Sequence, residues 1–214
     1  MIAFIGGTGP EGLGLALRLA LAGEEIAIGS RSLERAERAA AEISSRAPSA
    51  RVWGAENREV VEKAGIVFVT VPYAAQRETL ASLRDAIGAK LVVDTVVPLR
   101  FEKGRALAVP VAEGSAAEEA QALLPRATVV AAFHNLSAQK LMAGDAPVDG
   151  DVLVCCDDAG AKAAVIALAD KIAGVRGVDG DGLANARFVE GLTVLLLNLN
   201  RIHKRQTGIR IVGL

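Results

Sequence analysis

Apolar and polar residues fall in blocks along this chain, and the block lengths predict strands that alternate with helices. Ile2–Ile5 is a short apolar run with strand character. It breaks into a glycine-rich turn over residues 6–12, and an Ala/Leu-rich helical segment runs on to Gly23. Residues 25–29 read as the second strand and 32–47 as a charged amphipathic helix with Ser32 as its N-cap. A short strand over 51–54 and a short helix over 57–64 follow. Residues 66–71 are almost wholly apolar, as expected of a strand covered on both faces, and Pro72 ends it. Next come a helix over 74–87 closed by Gly88, a buried strand over Leu91–Asp94, a helix over 115–124 and a strand over 128–133. Ser115 and Glu118 have the spacing of a capping box.

After His134 the pattern changes. A polar loop (145–150), a strand (151–156), a helix (159–172), one long helix from 183 to about 203 and a short strand (209–212) are expected. Strands alternating with helices imply an α/β fold, a Rossmann-type doubly wound parallel sheet with a smaller C-terminal α/β domain. The expected division is a nucleotide-binding domain over 1–134 and a C-terminal domain over 135–214.

Composition narrows the function. The 214 residues are 51% hydrophobic and 23% charged, ordinary for a folded globular protein. A formal net charge of -1 offers no basic field for nucleic acid and no polybasic patch for a membrane. The apolar stretch near the C-terminus is broken by Glu190, Asn198 and Asn200, so it is not expected to span a bilayer. Cys155 and Cys156 are neighbours in a buried strand and read as inert core thiols. The expectation is a soluble cytoplasmic protein with no metal site.

The turn after the first strand carries the chemistry. Gly7, Gly9 and Gly12 fit G-x-G-x-x-G, with a strand before and a helix after. In such a turn one glycine permits the bend, one lets the backbone approach a diphosphate and one lets the helix pack on the strand. Pro10 suits a helix start. Gly7, Thr8, Gly9, Pro10, Glu11 and Gly12 would then present free N–H groups and the positive end of the helix dipole to the diphosphate. At the end of the second strand an NAD site usually carries an acid; this chain has Ser30 and Arg31, with Arg35 one helical turn on. Cations there attract a 2′-phosphate, so NADP(H) is favoured.

In an open α/β sheet the loops at the carboxyl ends of later strands line the crevice. Here they contribute Val71, Pro72 and Tyr73, then Val97 and Pro98, then His134 and Asn135. The first two loops are apolar and stiff and suit two flat rings. His134 is the candidate catalytic donor to a ring; as a lone histidine it also reads as a structural hydrogen-bonder. With few acid/base groups nearby, the site suits hydride transfer between two cofactors that supply the chemistry themselves. On the last helix Arg187, Glu190, Asn198 and Arg201 fall within roughly 80° of one another, which fits a solvated face, a buried network or a cleft wall. The leucines, Leu196 among them, cover a wider arc and are expected at a two-fold interface.

The Gly-Gly-Thr-Gly loop, the Gly-Ser-Arg strand end, Val71-Pro72-Tyr73, Val97-Pro98 and Ala132-Phe133-His134-Asn135 together resemble the NADP-dependent oxidoreductases of coenzyme F420, an 8-hydroxy-5-deazaflavin. So do Cys156-Asp157-Asp158 and the more specific stretch from Asn185 to Thr193. The likeness runs nearly end to end. It implies a small homodimer in which hydride moves between NADP(H) and coenzyme F420 in the cleft between two domains. Thr8, Ser30, Arg31 and Arg35 would hold the adenosine phosphate end, and Pro72, Val97 and His134 would flank the two rings. Tyr73, with Ala74 and Ala75 after it, stands where the family often carries a bulkier residue. Two other readings use the same scaffold: an NADP-linked reductase of a small imine or carbonyl, which would need His134 or Tyr73 as proton donor, and a sensor that binds NADP without turnover.

Overall fold

The computed structural model describes residues 1–144 and 146–214. Eight strands come from the first 131 residues: β1 (Ile2–Ile5), β2 (Ile26–Ser30), β3 (Val52–Glu56), β4 (Ile66–Val69), β5 (Leu91–Asp94), β6 (Leu99–Glu102), β7 (Arg105–Ala108) and β8 (Thr128–Ala131). Six of them form one parallel sheet in the order β3-β2-β1-β4-β5-β8. The order reverses between β1 and β4, which opens a crevice at the carboxyl ends of the strands.

Period-two alternation explains the two layers of helices. Ile2, Phe4, Ile26 and Ile28 face one side. There they meet α1 (Pro10–Leu21), α2 (Leu33–Arg46), α6 (Ala138–Met142) and α7 (Ala159–Asp170), the last two from beyond residue 134. Ala3, Ile5 and Ala27 face the other side, against α3 (Asn57–Lys63), α4 (Tyr73–Ile87), α5 (Ala116–Leu123) and the start of α8 (Ala186–His203). Because β1 is covered on both faces, it is apolar at every position rather than alternating.

The C-terminal residues add β9 (Gly150–Val154) and β10 (Val175–Asp179), a parallel pair. An antiparallel bridge between Ala131 and Cys155 joins them to the main sheet. Val152, Val154, Val165 and Leu168 belong to the same apolar core as Ile2 and Phe4. One core therefore runs through both parts of the chain.

Several expectations need correction. Residues 209–212 form no strand. Asp151 N–H does reach the Ile209 carbonyl at 2.9 Å, but Ile211 N–H is spent on the Asp151 carboxylate at 2.6 Å and its carbonyl on Arg176, so no ladder continues. The long helix opens with a 3-10 turn over Leu183–Asn185, and only Ala186–His203 is α-helical. The β6–β7 hairpin, α6 and β10 were not expected. The hairpin turns on Lys103 (φ 48°) and Gly104 (φ 77°), both left-handed as a two-residue turn requires, and its exposed positions Arg100, Phe101 and Glu102 hide any alternation. The expected loop over 145–150 begins on residue 145, outside the described residues. Ser115 does cap α5, accepting from Glu118 N–H at 3.0 Å, but the Glu118 carboxylate accepts the Ser115 hydroxyl (2.8 Å) instead of reaching back to the backbone.

Candidate functional site

The glycine loop joins β1 to α1, with Pro10 at the first turn of the helix. The left-handed residue is Gly6 (φ 69°), one position before the Gly7 that the spacing pointed to. A side chain there would also strike Val71 Cγ1 at 2.6 Å. At Gly12 an added Cβ would lie 2.6 Å from Thr70 Oγ1 and 2.8 Å from Gly7 Cα, so this glycine lets α1 press against the loop and the end of β4. Gly9, by contrast, has only the Gly6 carbonyl near it, at 3.9 Å, which leaves room for a ligand to approach the backbone.

That loop forms one end of a cleft of about 780 Å³. Thr8, Gly9, Pro10, Glu11, Ser30, Arg31, Arg35, Val71, Pro72, Tyr73, Val97, His134 and Asn135 all line it. Gly7, Gly12 and Pro98 do not. The two glycines are buried packing positions, and Pro98 lines a second, small hollow with Arg187, Glu190 and Val194. Residues from the C-terminal part complete the wall, among them Ser137, Thr193, Leu196, Asn200, Gln206 and Thr207. Thr193, Leu196, Asn200, Gln206 and Thr207 were not singled out from the sequence as site residues. Gln206 ties the tail to the start of α6, accepting from Ser137 Oγ at 2.9 Å and donating to Gln139 Oε1 at 2.8 Å. Thr207 is held by Asn200 Oδ1 through both its N–H (2.6 Å) and its hydroxyl (2.7 Å).

At the glycine-loop end Arg31 and Arg35 are exposed cations. Arg35 donates to Thr8 Oγ1 at 3.3 Å, and Ser30 Oγ accepts the Ser32 N–H at 3.2 Å. Among the described residues, no carboxylate lines this end apart from Glu11. The Glu11 Oε1 is buried without a partner, and burial pushes its carboxyl up to about 8.

Further along, the loop after β8 is shaped by Phe133. It is buried against Phe68, with ring centroids 5.5 Å apart, and holds a left-handed φ of 68°, costly for a bulky residue. His134 and Asn135 follow in the cleft wall, each 4% exposed. Both ring nitrogens of His134 and the Oδ1 of Asn135 lack partners. Burial lowers His134 to about 3, so its imidazole is neutral. Unpartnered buried polar groups cost about 1–3 kcal/mol each, so a ligand that bonds them gains that back.

The polar stripe of α8 is split: Glu190 is buried, Asn198 half-buried, and Arg187 and Arg201 are exposed. Glu190, 4% exposed, accepts from the free N–H groups of Ala116 (3.1 Å) and Ala117 (3.2 Å) at the start of α5. Asn198 pairs with both the N–H (3.1 Å) and the carbonyl (2.8 Å) of Ala106 in the hairpin. Arg187 pairs with Glu118 at 3.2 Å, while Arg201 is exposed. Burial pushes Glu190 up to about 7 and Asp94, at the end of β5, well above the carboxylate range. Tyr73 sits beside this cluster; burial, then Glu119, raise its phenol. Leu196 is buried and lines the cleft, so it cannot belong to an exposed interface as expected. Among the described residues, no cluster of His, Cys, Asp and Glu is placed to hold a metal ion.

Residues 1–98 match the family model described as NADP oxidoreductase, coenzyme F420-dependent. The whole chain is 46% identical, over 221 residues and 95% of the relative, to an F420-dependent NADP reductase of Methanothermobacter thermautotrophicus. It is 41% identical over its full length to an F420-dependent NADP reductase of Methanocaldococcus jannaschii, covering 98% of that protein. A solved structure from Arthrobacter sp. FB24, described as a candidate F420-dependent NADP reductase, superimposes with a TM-score of 0.82 at 27% identity, covering 99% of this chain and 98% of that one. With this cleft and full-length identity well above 30%, the chain belongs to the family of F420-dependent NADP reductases.

Proposed function

We propose that this cleft seats NADP(H) along the glycine loop and coenzyme F420 against the C-terminal residues, and that the two rings meet near His134. As a member of its family the protein is an oxidoreductase that transfers hydride between NADP(H) and F420. The observation that carries the site assignment is the set of orphaned polar atoms on residues that line the cleft: Glu11 Oε1, both His134 nitrogens and Asn135 Oδ1. Such atoms fit a ligand that brings donors and acceptors of its own.

The chain's own residues bind and orient. Gly9 and the first turn of α1 would receive the diphosphate, and Arg31, Arg35, Ser30 and Thr8 the 2′-phosphate. Val71, Pro72 and Val97 wall the ring region and exclude water, which strengthens each polar contact there. His134, neutral, offers one N–H to charge developing on a ring. When bound, NADP(H) and F420 supply the hydride donor and acceptor.

We further read residues 1–134 and 135–214 as two domains on one core, and the molecule as a cytoplasmic homodimer. The buried free thiols Cys155 and Cys156 support a reducing compartment. No helix of the described residues is long and apolar enough to cross a membrane. For the dimer, Phe188, Leu195 and Ile202 support a shared face: they are exposed and spaced by seven residues on α8. Mixing the protein with NADPH and oxidised F420 tests the activity, with loss of the deazaflavin's visible absorbance as the readout.

A further inference from the structure

Glu11 stands in the helix turn that this reading gives to the cofactor's diphosphate. It is the second residue of α1, in the turn whose free N–H groups face the cleft. A carboxylate there would compete with a diphosphate for the same N–H groups and dipole. Its Oε1 is shut off from solvent and meets no donor, while the residue as a whole is half-buried in the cleft wall. Oxygen in that state is poorly suited to carry charge and well suited to a carboxylic acid whose O–H awaits an acceptor.

The charged and titratable groups around it leave it unpaired. On α1 itself, Arg18 is committed to the carbonyls of Leu141 (2.8 Å) and Lys140 (2.6 Å). From the β2 end and α2 come Arg31 and Arg35, the latter bonded to Thr8. The loop after β8 brings His134, which is neutral, and α6 brings Lys140, which does not line the cleft. Tyr73 comes from the start of α4. None of these groups moves the Glu11 carboxyl: burial is the one cause that raises it, to about 8.

We propose that Glu11 holds NADP(H) as the neutral acid, donating its proton-bearing oxygen to the cofactor, so that cofactor binding is linked to one proton. A diphosphate placed on the same helix turn adds negative charge beside the carboxyl and raises its proton affinity further. By reciprocity, deprotonating Glu11 weakens the cofactor. The inference rests on the reading of this cleft as the NADP(H) site.

The test is the dissociation constant of NADPH between pH 6.5 and 9.5 for the wild type and Glu11→Gln, which keeps the shape and cannot ionise. The phosphate's own second ionisation, near pH 6, lies below this window. Wild-type affinity should hold up to about pH 8 and then fall tenfold per pH unit, to about 30-fold weaker at pH 9.5. The variant's profile should be flat. Calorimetry on the wild type at pH 8.5, in buffers of different ionisation enthalpy, should show proton uptake on binding, and it decides the matter even if the variant does not fold. Superimposable profiles, or binding without proton uptake, overturn the role of Glu11 alone. Absence of NADPH binding at every pH overturns the reading of the cleft as well.

Discussion

Asn135 Nδ2 donates to the Asp151 carbonyl oxygen at 2.7 Å. An oxygen acceptor can face only the amide's NH₂, so this bond fixes which way the side chain points and leaves Oδ1 buried as a bare acceptor. The same Asp151 anchors the end of the chain. Its carboxylate takes Arg176 through Nε (3.0 Å) and Nη2 (2.6 Å) and the Ile211 N–H at 2.6 Å. The Arg176 hydrogen bond, foremost among the causes, holds its carboxyl below the usual range. A crevice loop of the Rossmann sheet, the β9–β10 pair and the C-terminal tail are thus braced on one residue.

On the proposed site, cofactor choice follows from Arg31. A charge-assisted hydrogen bond to the 2′-phosphate contributes about 1.5–3 kcal/mol, roughly 10–150-fold in affinity. Arg31→Ala should weaken NADPH by that factor and leave NADH nearly unchanged in equilibrium titrations. Equal losses for both cofactors would remove Arg31 from the phosphate site.

The catalytic share of His134 is modest on this account. Since burial keeps it neutral down to about pH 3, the hydride-transfer rate should show no inflection of its making between pH 5 and 8. His134→Gln should lower the rate roughly 10–100-fold, as for the loss of one oriented donor. Complete loss in a folded variant would instead make it an essential acid/base. A stability signature accompanies this. Below about pH 6.5 the unfolded chain takes up a proton that the folded one refuses, so His134 costs stability as pH falls from there toward 3, and His134→Gln should blunt that acid sensitivity in thermal melts.

The proposed dimer would turn on a different leucine from the one the helical wheel suggested. Leu196 is 6% exposed, whereas Phe188 is 68%, Leu195 54% and Ile202 57% exposed. Burying one such side chain against a partner contributes about 1.5–3 kcal/mol. Leu195→Lys should therefore shift the protein to monomers in light scattering at micromolar concentration and leave the fold intact. A wild-type monomer at that concentration would contradict the shared interface.

The sheet was legible in the sequence because its strands are buried on both faces. Ile2–Ile5 and Leu91–Val93 stand out as unbroken apolar runs between turn signals. Caps at Ser32 and Ser115 were legible for an equally local reason, a side chain bonding its own helix three residues on. What escaped was set by distant partners. Nothing near Glu190 announces that it satisfies the first turn of α5, and nothing near Asn198 announces that it pins Ala106. The hairpin escaped because its outer strand is largely exposed, so no buried face imposes a period. Of the site, the glycine loop and the strand ends could be read directly. The tail residues Gln206 and Thr207 could not, since only the folded chain brings them to Ser137 and Asn200.

Direct hydride transfer between the two cofactors in this cleft can be followed with a labelled hydride. NADPH deuterated at the transferable position of the nicotinamide is mixed with the enzyme and oxidised F420, and the bleached deazaflavin is weighed by mass spectrometry. Loss of the visible absorbance together with one deuterium on a ring carbon of the product is the expected result. Bleaching without deuterium, or no bleaching at all, would contradict it.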